Sequence, residues 1–187
     1  MIEEKKLIFR FKKGNREALR RIYDKFKIDL LKLAMVLTND VNAAEDIVHD
    51  VFLRFAQSAK RIKLDGSLKS YLVTSLINQV RNIRRDRARH NLLHLDKADS
   101  VASSGQGPHQ WAVLSEQITQ LSQALQDLPY EQREVICCRM EMDMTFVQIA
   151  ALQQVSQDTV KGRYRYGLTK LRSLLNSKGK KCNPRMT

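Results

Sequence analysis

Cationic residues crowd two short stretches of this chain, at a spacing suited to neutralising phosphates. Lys60, Arg61, Lys63 and Lys69 lead into an amphipathic segment whose far end carries Arg81, Arg84, Arg85, Arg87 and Arg89, opposed only by Asp65 and Asp86. Further on, Lys161, Arg163, Arg165, Lys170 and Arg172 follow one another, with no Asp or Glu after Asp158. A cation that neutralises a phosphate releases counterions, so such clusters grip nucleic acid in a salt-dependent way. A solvated basic face is the ordinary alternative for either run alone.

The opposite charge is gathered elsewhere. Between Leu33 and Leu53 there is no Lys or Arg, yet Asp40, Glu45, Asp46 and Asp50 lie there. Asp46 and Asp50 are four apart and share a helix face, where like charges cost stability. An acidic patch repels DNA but suits a positively charged protein partner. The helix dipole accounts for Glu45 and Asp46 at a helix start, but not for Asp50. Glu45, Asp46, His49 and Asp50 supply one imidazole with carboxylates on a single segment and no second ligand helix, so no metal centre is expected. His90, His94 and His109 suggest no catalysis. With no nucleophile elbow, phosphate-binding glycine loop or paired carboxylates, the chain reads as a non-enzyme without a cofactor.

The bulk numbers agree with a polyanionic partner. The 187 residues carry a net charge of +13, with 43% apolar and 28% charged residues. That balance is globular, and the length suits one ordinary domain or two small ones. No run approaches the ~18 apolar residues of a membrane span, so no membrane insertion is expected. The start, MIEEKKLIFRFKKGN, lacks the apolar core of a signal peptide. Cys137, Cys138 and Cys182 form no CxxC pair and fit reduced thiols in a cytoplasm.

Helices must position these charges. Leu19, Ile22, Tyr23, Phe26, Leu30, Leu33, Ala34 and Leu37 define one long amphipathic helix, broken at Thr38, Asn39 and Asp40. Asn42 and Glu45 have capping-box spacing and open a second helix with Ile47, Val48, Val51, Phe52 and Phe55 inward. After a turn at Gly66 and Ser67, a third carries Leu68, Tyr71, Leu72, Leu76, Val80 and Ile83. The stretch DKADSVASSGQGPHQ reads as a flexible linker. Periodicity resumes with Leu114, Ile118, Leu121, Leu125 and Leu128, stops at Pro129, and restarts in EQREVICCRM. Strand signals are absent. The expected fold is all-α: two small helical domains over 1–94 and 113–177, a flexible linker over 95–112, and a disordered basic tail over 178–187.

The second domain contains a helix-turn-helix pattern. Thr145 and Gln148 have capping-box spacing, the turn passes through Gln154 and Val155, and Ser156 caps the second helix. Ile149, Ala150, Val155 and Val160 are spaced to close its small core, with Leu168, Leu171, Leu174 and Leu175 further along. Gln157, Lys161, Arg163, Tyr164 and Arg165 are expected to face a major groove.

Taken in order, three stretches resemble bacterial RNA polymerase sigma factors of the extracytoplasmic-function type. They are ALRRIYDKFKIDLLKLA with NAAEDIVHDVFLRF, then SLKSYLVTSLINQVRNIRRDRAR, then LPYEQREVICCRMEMDMTFVQIAALQQVSQDTVKGRYRYGLTKLR, from Ala18 to Leu175. The resemblance implies that the first domain is region 2 and the second region 4. It implies that Glu45, Asp46, His49 and Asp50 dock on the clamp helices of the largest subunit of core RNA polymerase. It further implies that Lys63, Asn78, Arg81, Asn82, Arg84 and Arg85 melt and hold the −10 promoter element. Gln157, Thr159, Lys161, Gly162, Arg163, Arg165 and Tyr166 would then meet the −35 element. Implied partners are core polymerase, including its flap region, promoter DNA and, as in many relatives, an anti-sigma protein. The implied location is the cytoplasm, at the nucleoid.

The sequence departs from the family's pattern at named positions. Tyr71 stands where Trp is frequent, Gln154 where the turn glycine is usual, Asp158 at a position usually small, and Gly162 in place of a small hydroxyl residue. These bear on the −35 preference more than on the fold. A free-standing helix-turn-helix regulator that binds an operator as a dimer is the alternative reading.

Overall fold

Asn15, Asn39, Asp40, Thr145, Gln154 and Ser156 punctuate the chain, and the helices start and stop around them. The computed structural model describes residues 2–58, 67–93 and 116–179, in which all regular structure is helical. The chain divides into two units, residues 1–106 and 107–187. The expected linker, most of the expected tail, Lys60, Arg61, Lys63, His94, His109, Leu114 and Cys182 lie outside the described residues.

The first unit begins with a helix that periodicity alone did not predict, α1 (Ile2–Lys12). Phe11 anchors it: the ring is buried and stacks on Phe55 with ring centroids 4.8 Å apart. Gly14 follows at φ +87°, a turn that glycine makes without steric cost. Asn15 then caps α2 (Arg16–Thr38) by accepting from the Ala18 amide at 3.0 Å. Ile22, Phe26, Leu30, Leu33, Ala34 and Leu37 line the buried face of α2, and Leu19 is only half-buried. Asn39, left-handed at φ 56°, ends it.

The expected capping box at Asn42 and Glu45 does not form. Asp40 caps α3 (Val41–Gln57) instead, its carboxylate accepting from the Ala43 amide at 3.1 Å. The left-handed Asn39 turns the chain so that Asp40 is the extended residue at the boundary, and Asn42 is already helical. Ile47, Val48, Val51, Phe52 and Phe55 are buried as expected. The third expected helix is α4 (Leu68–Leu93), which packs against both α2 and α3. Burial on two sides explains why Val73 and Ile77 are inside along with Leu68, Leu72, Leu76 and Val80.

In the second unit, α5 (Glu116–Gln126) packs on α8 and buries Ala124, followed by buried Leu128; Leu121, expected inward, is exposed. Pro129 opens α6 (Tyr130–Met140), its carbonyl accepting from the amides of Gln132 and Arg133. The Arg133 guanidinium reaches back to the Gln126 and Leu128 carbonyls at 2.8 and 3.2 Å, satisfying acceptors left over where α5 stops. Next come α7 (Phe146–Gln153) and α8 (Gln157–Gly179). Ala124, Leu128, Ile136 and Leu171 form a core, with Leu125, Tyr164, Leu168, Leu174 and Leu175 packed against it. α6 and α8 touch at Gly167, where a Cβ would lie 2.9 Å from Ile136 Cδ1 and 3.2 Å from Gln132 Cβ. Cys137 and Cys138 are buried and outside any disulfide, and burial pushes Cys137 up to about 12, so it stays protonated and inert at neutral pH.

Candidate nucleic-acid interface

On α4, the residues opposite the core fall into one stripe. At 3.6 residues per turn, Asn78, Arg81, Asn82, Arg85 and Arg89 line up, and Asn78, Asn82, Arg85 and Arg89 are exposed. Arg85 donates to Asn82 Oδ1 at 2.6 Å, so amide and guanidinium share one spot on the helix. Arg84 lies further round, beside Arg81. Arg87 is on the opposite side, 3.8 Å from Asp40, the cap of α3. The arginine cluster therefore divides between an outward stripe and an interhelical contact.

The acidic residues of α3 separate in an unexpected way. Asp50 is half-buried, and its Oδ2 accepts from Gln79 Nε2 of α4 at 2.8 Å. Gln79 is buried, and its amide group needs such an acceptor. Packing therefore explains the acid that the helix dipole could not. By contrast, α3 starts at Val41 with no acid in its first turn, which removes the dipole explanation for Glu45 and Asp46. Those two and His49 are exposed, and one turn beyond His49 on the same face lies Leu53, 48% exposed. Leu53 was missed in the sequence; its signal is that it falls between the buried positions Val51, Phe52 and Phe55 without belonging to their face.

The helix-turn-helix forms as read. Thr145 and Gln148 make a reciprocal capping box, Gln154 adopts φ 55° and ψ 42° in the turn, and Ser156 Oγ accepts from the Thr159 amide at 3.1 Å. The outward arc of α8 holds Asp158, Lys161, Gly162, Arg165 and Tyr166. Asp158 and Lys161 pair at 3.4 Å, and Arg165 lies 5.0 Å from the Tyr166 ring centroid. A Cβ on Gly162 would meet nothing within 4 Å, so this glycine leaves bare backbone in the middle of the arc. Gln157 and Thr159 are exposed at its margins. Tyr164 is not outward: it packs on the core and meets Phe146 edge-on at 5.4 Å.

Arg163 is also turned aside, half-buried, and donates from Nη1 to Gln153 Oε1 at 2.6 Å. Gln153 Nε2 in turn donates to Glu134 Oε1 at 2.8 Å, and Glu134 is fully buried in α6. One amide thus links a buried carboxylate to a recognition-helix arginine across three helices. Sequence reasoning missed Gln153 and Glu134. The available signal was a long polar residue at the last position of a short helix whose other residues, apart from the capping Gln148, are apolar.

Two helical units, one with a cationic stripe beside an acidic face and one with a helix-turn-helix, define a DNA-binding transcription protein. The first unit matches the family model "Sigma-70 region 2" over residues 22–90, and the second matches "Sigma-70, region 4" over residues 124–173. The chain is 24% identical to the ECF RNA polymerase sigma factor SigW of Bacillus subtilis, over 91% of its own length and 96% of that protein. It is 24% identical to the RNA polymerase sigma factor CnrH of Cupriavidus metallidurans, over 90% and 92% of the two chains. Among solved structures, the sigma factor RpoE from Bartonella quintana, in complex with the anti-sigma factor NepR, is 25% identical with a TM-score of 0.65, covering 84% of this chain and 98% of that one. CnrH in complex with the cytosolic domain of CnrY shares the fold at a TM-score of 0.67 and 20% identity, over 93% and 97% of the chains. The chain belongs to the sigma-70 family and is an RNA polymerase sigma factor of the extracytoplasmic-function type. As such it is a DNA-binding regulatory subunit rather than an enzyme, with core RNA polymerase and promoter DNA as partners.

Proposed function

We propose that the first unit opens and holds the −10 strand while the second reads the −35 duplex. Asn78, Arg81, Asn82 and Arg85 would take the separated strand, with Arg84 at the margin and Lys63 on the preceding segment. Amides and guanidinium groups suit this task because unstacked bases present their hydrogen-bonding edges. On α8, Gln157, Lys161 and Arg165 face base edges and phosphates, Thr159 and Tyr166 flank them, and Gly162 lets backbone come close. Arg163 holds a phosphate from a fixed position, with Gln153 and Glu134 as positioning residues.

Glu45, Asp46 and His49 dock on the clamp helices of the largest subunit, with Leu53 as an apolar anchor at the C-terminal end of the same face. Asp50 lies at the edge of this face with one oxygen already bonded to Gln79. The second unit would meet the flap region. The assignment of boundaries follows: region 2 over 1–94 and region 4 over 113–177. The protein acts in the cytoplasm, at the nucleoid, with an anti-sigma protein as a further partner; the RpoE relative is found in complex with the anti-sigma factor NepR.

The observation that carries this reading is the segregation of charge within one unit: exposed acids on α3 and an arginine–asparagine stripe on α4. Glu45→Lys/Asp46→Lys is expected to weaken binding to core polymerase at least tenfold without changing helix content. Unchanged core affinity in that variant removes the docking assignment.

A further inference from the structure

Neither family model reaches α1, because the first begins at residue 22. This helix nonetheless carries a concentrated surface charge. Its inward side is Phe11, with Leu7 and Ile8 half-buried beside it. On the opposite arc stand Lys5, Lys6, Phe9, Arg10, Lys12 and Lys13, all exposed. Phe9 is at the centre of that arc, 60% exposed, with Lys13 Nζ 4.5 Å from its ring centroid. The neighbouring acids are engaged elsewhere or peripheral: Glu4 pairs with Lys25 at 2.8 Å, and Glu3 sits in the first turn at the edge of the arc.

A lone exposed phenylalanine is ordinary. Its place among five cations gives it a meaning. Cations draw phosphates toward the helix, and the exposed part of the ring, one face of which carries Lys13 Nζ, offers an unpaired base a surface to lie on. Duplex DNA cannot use that surface, since its bases are stacked on one another. An unpaired strand is also what α4 is assigned to hold. The two helices share one unit through a run of rings: Phe11 lies 4.8 Å from Phe55, and Phe55 lies 6.1 Å from Tyr71 near the start of α4.

We propose that the outward face of α1 is a second single-stranded DNA site, with Lys5, Lys6 and Lys13 on phosphates and Phe9 stacked on one unpaired base. The choice of a DNA strand as ligand rests on the sigma-factor reading; the site itself is testable without polymerase. The probe is a labelled oligo(dT) of about 12 nucleotides. Its binding to the full chain is followed by fluorescence anisotropy, in an Arg81→Ala/Arg85→Ala background that weakens the α4 stripe. Phe9→Ala is expected to weaken binding about 5- to 20-fold, and Phe9→Trp to restore it. Lys5→Gln/Lys6→Gln/Lys13→Gln is expected to lower the salt slope by about 2, at about 0.7 per phosphate contact.

Unchanged oligo(dT) affinity in Phe9→Ala overturns the proposal. So does an equal loss for duplex, or a loss confined to phosphatidylglycerol vesicles, which would make the face a lipid site. As a check free of substitutions, an oligodeoxynucleotide carrying 5-bromo-2′-deoxyuridine, irradiated with the native chain, is expected to cross-link to the peptide containing Phe9. Recovery of α4 peptides alone contradicts the site. Core-dependent initiation by the chain with Arg81 and Arg85 intact separates the two readings: it persists if only α1 is inert, and fails if the sigma-factor reading is wrong.

Discussion

The two basic helices, α4 and α8, hold their arginines by different means. On α4 the outward guanidinium of Arg85 bonds to Asn82 of the same helix, on an exposed stripe. On α8, Arg163 is fixed from inside the domain, through Gln153 to the fully buried Glu134. An exposed guanidinium such as that of Arg85, bonded to a neighbour on its own helix, can rearrange around an irregular, opened strand. An arginine fixed through a buried carboxylate stays in register with a regular duplex. Each kind of support therefore suits the form of DNA assigned to that helix.

The comparison can be broken first at the level of stability. Phe55 joins α1 to α3 and α4, and Phe55→Ala is expected to cost the first unit about 3–5 kcal/mol. Calorimetry should show one transition falling while that of the second unit stays in place. A single transition moving as a whole would contradict independent units. Gln153→Leu is the next largest effect, about 1–3 kcal/mol in the second unit, because it strips a hydrogen bond from buried Glu134. It should also weaken −35 duplex binding non-additively with Arg163→Ala. The exchanged pair Glu134→Gln/Gln153→Glu should recover much of that binding, and additive losses with no recovery would reduce Gln153 to packing.

Two glycines five residues apart on α8 sharpen the contrast between face and core. Gly162 has open space where its Cβ would be, so Gly162→Ala should stabilise by about 1 kcal/mol while weakening −35 binding. Gly167→Ala should instead destabilise, since its Cβ would press on Ile136 and Gln132. Denaturant midpoints of the two variants moving in the same direction would refute that division. Smallest of all, Gln154→Gly relieves a left-handed residue at φ 55° but loosens the unfolded chain, for a net gain of about 0.5 kcal/mol.

The buried faces of α2 and α3 were legible because their apolar positions repeat at helical spacing, and so was the capping box at Thr145 and Gln148, whereas on α4 the second buried side at Val73 and Ile77 was not. Other features escaped for physical reasons. α1 is mostly charged, and its anchor Phe11 has a ring partner far away in sequence. The start of α3 went to Asp40 because the backbone turn at Asn39 decided it, and spacing alone cannot report a left-handed residue. Glu134, Gln153 and Arg163 meet only after three helices pack, as do Asp50 and Gln79. The outward directions of Asn82, Arg85, Lys161 and Arg165 were readable from helix period. Those of Arg163 and Tyr164 were not, because they sit where α8 turns toward α7 and the core.

The division of labour between the two helices is tested most directly by initiation on matched promoter templates, one fully duplex and one already unpaired at the −10 element. Asn78→Ala/Arg81→Ala/Arg85→Ala on α4 is expected to lose most activity on duplex and to regain about tenfold on the unpaired template. Lys161→Ala/Arg165→Ala on α8 is expected to be equally impaired on both. Equal recovery of the two variants, or recovery of neither, would contradict the account.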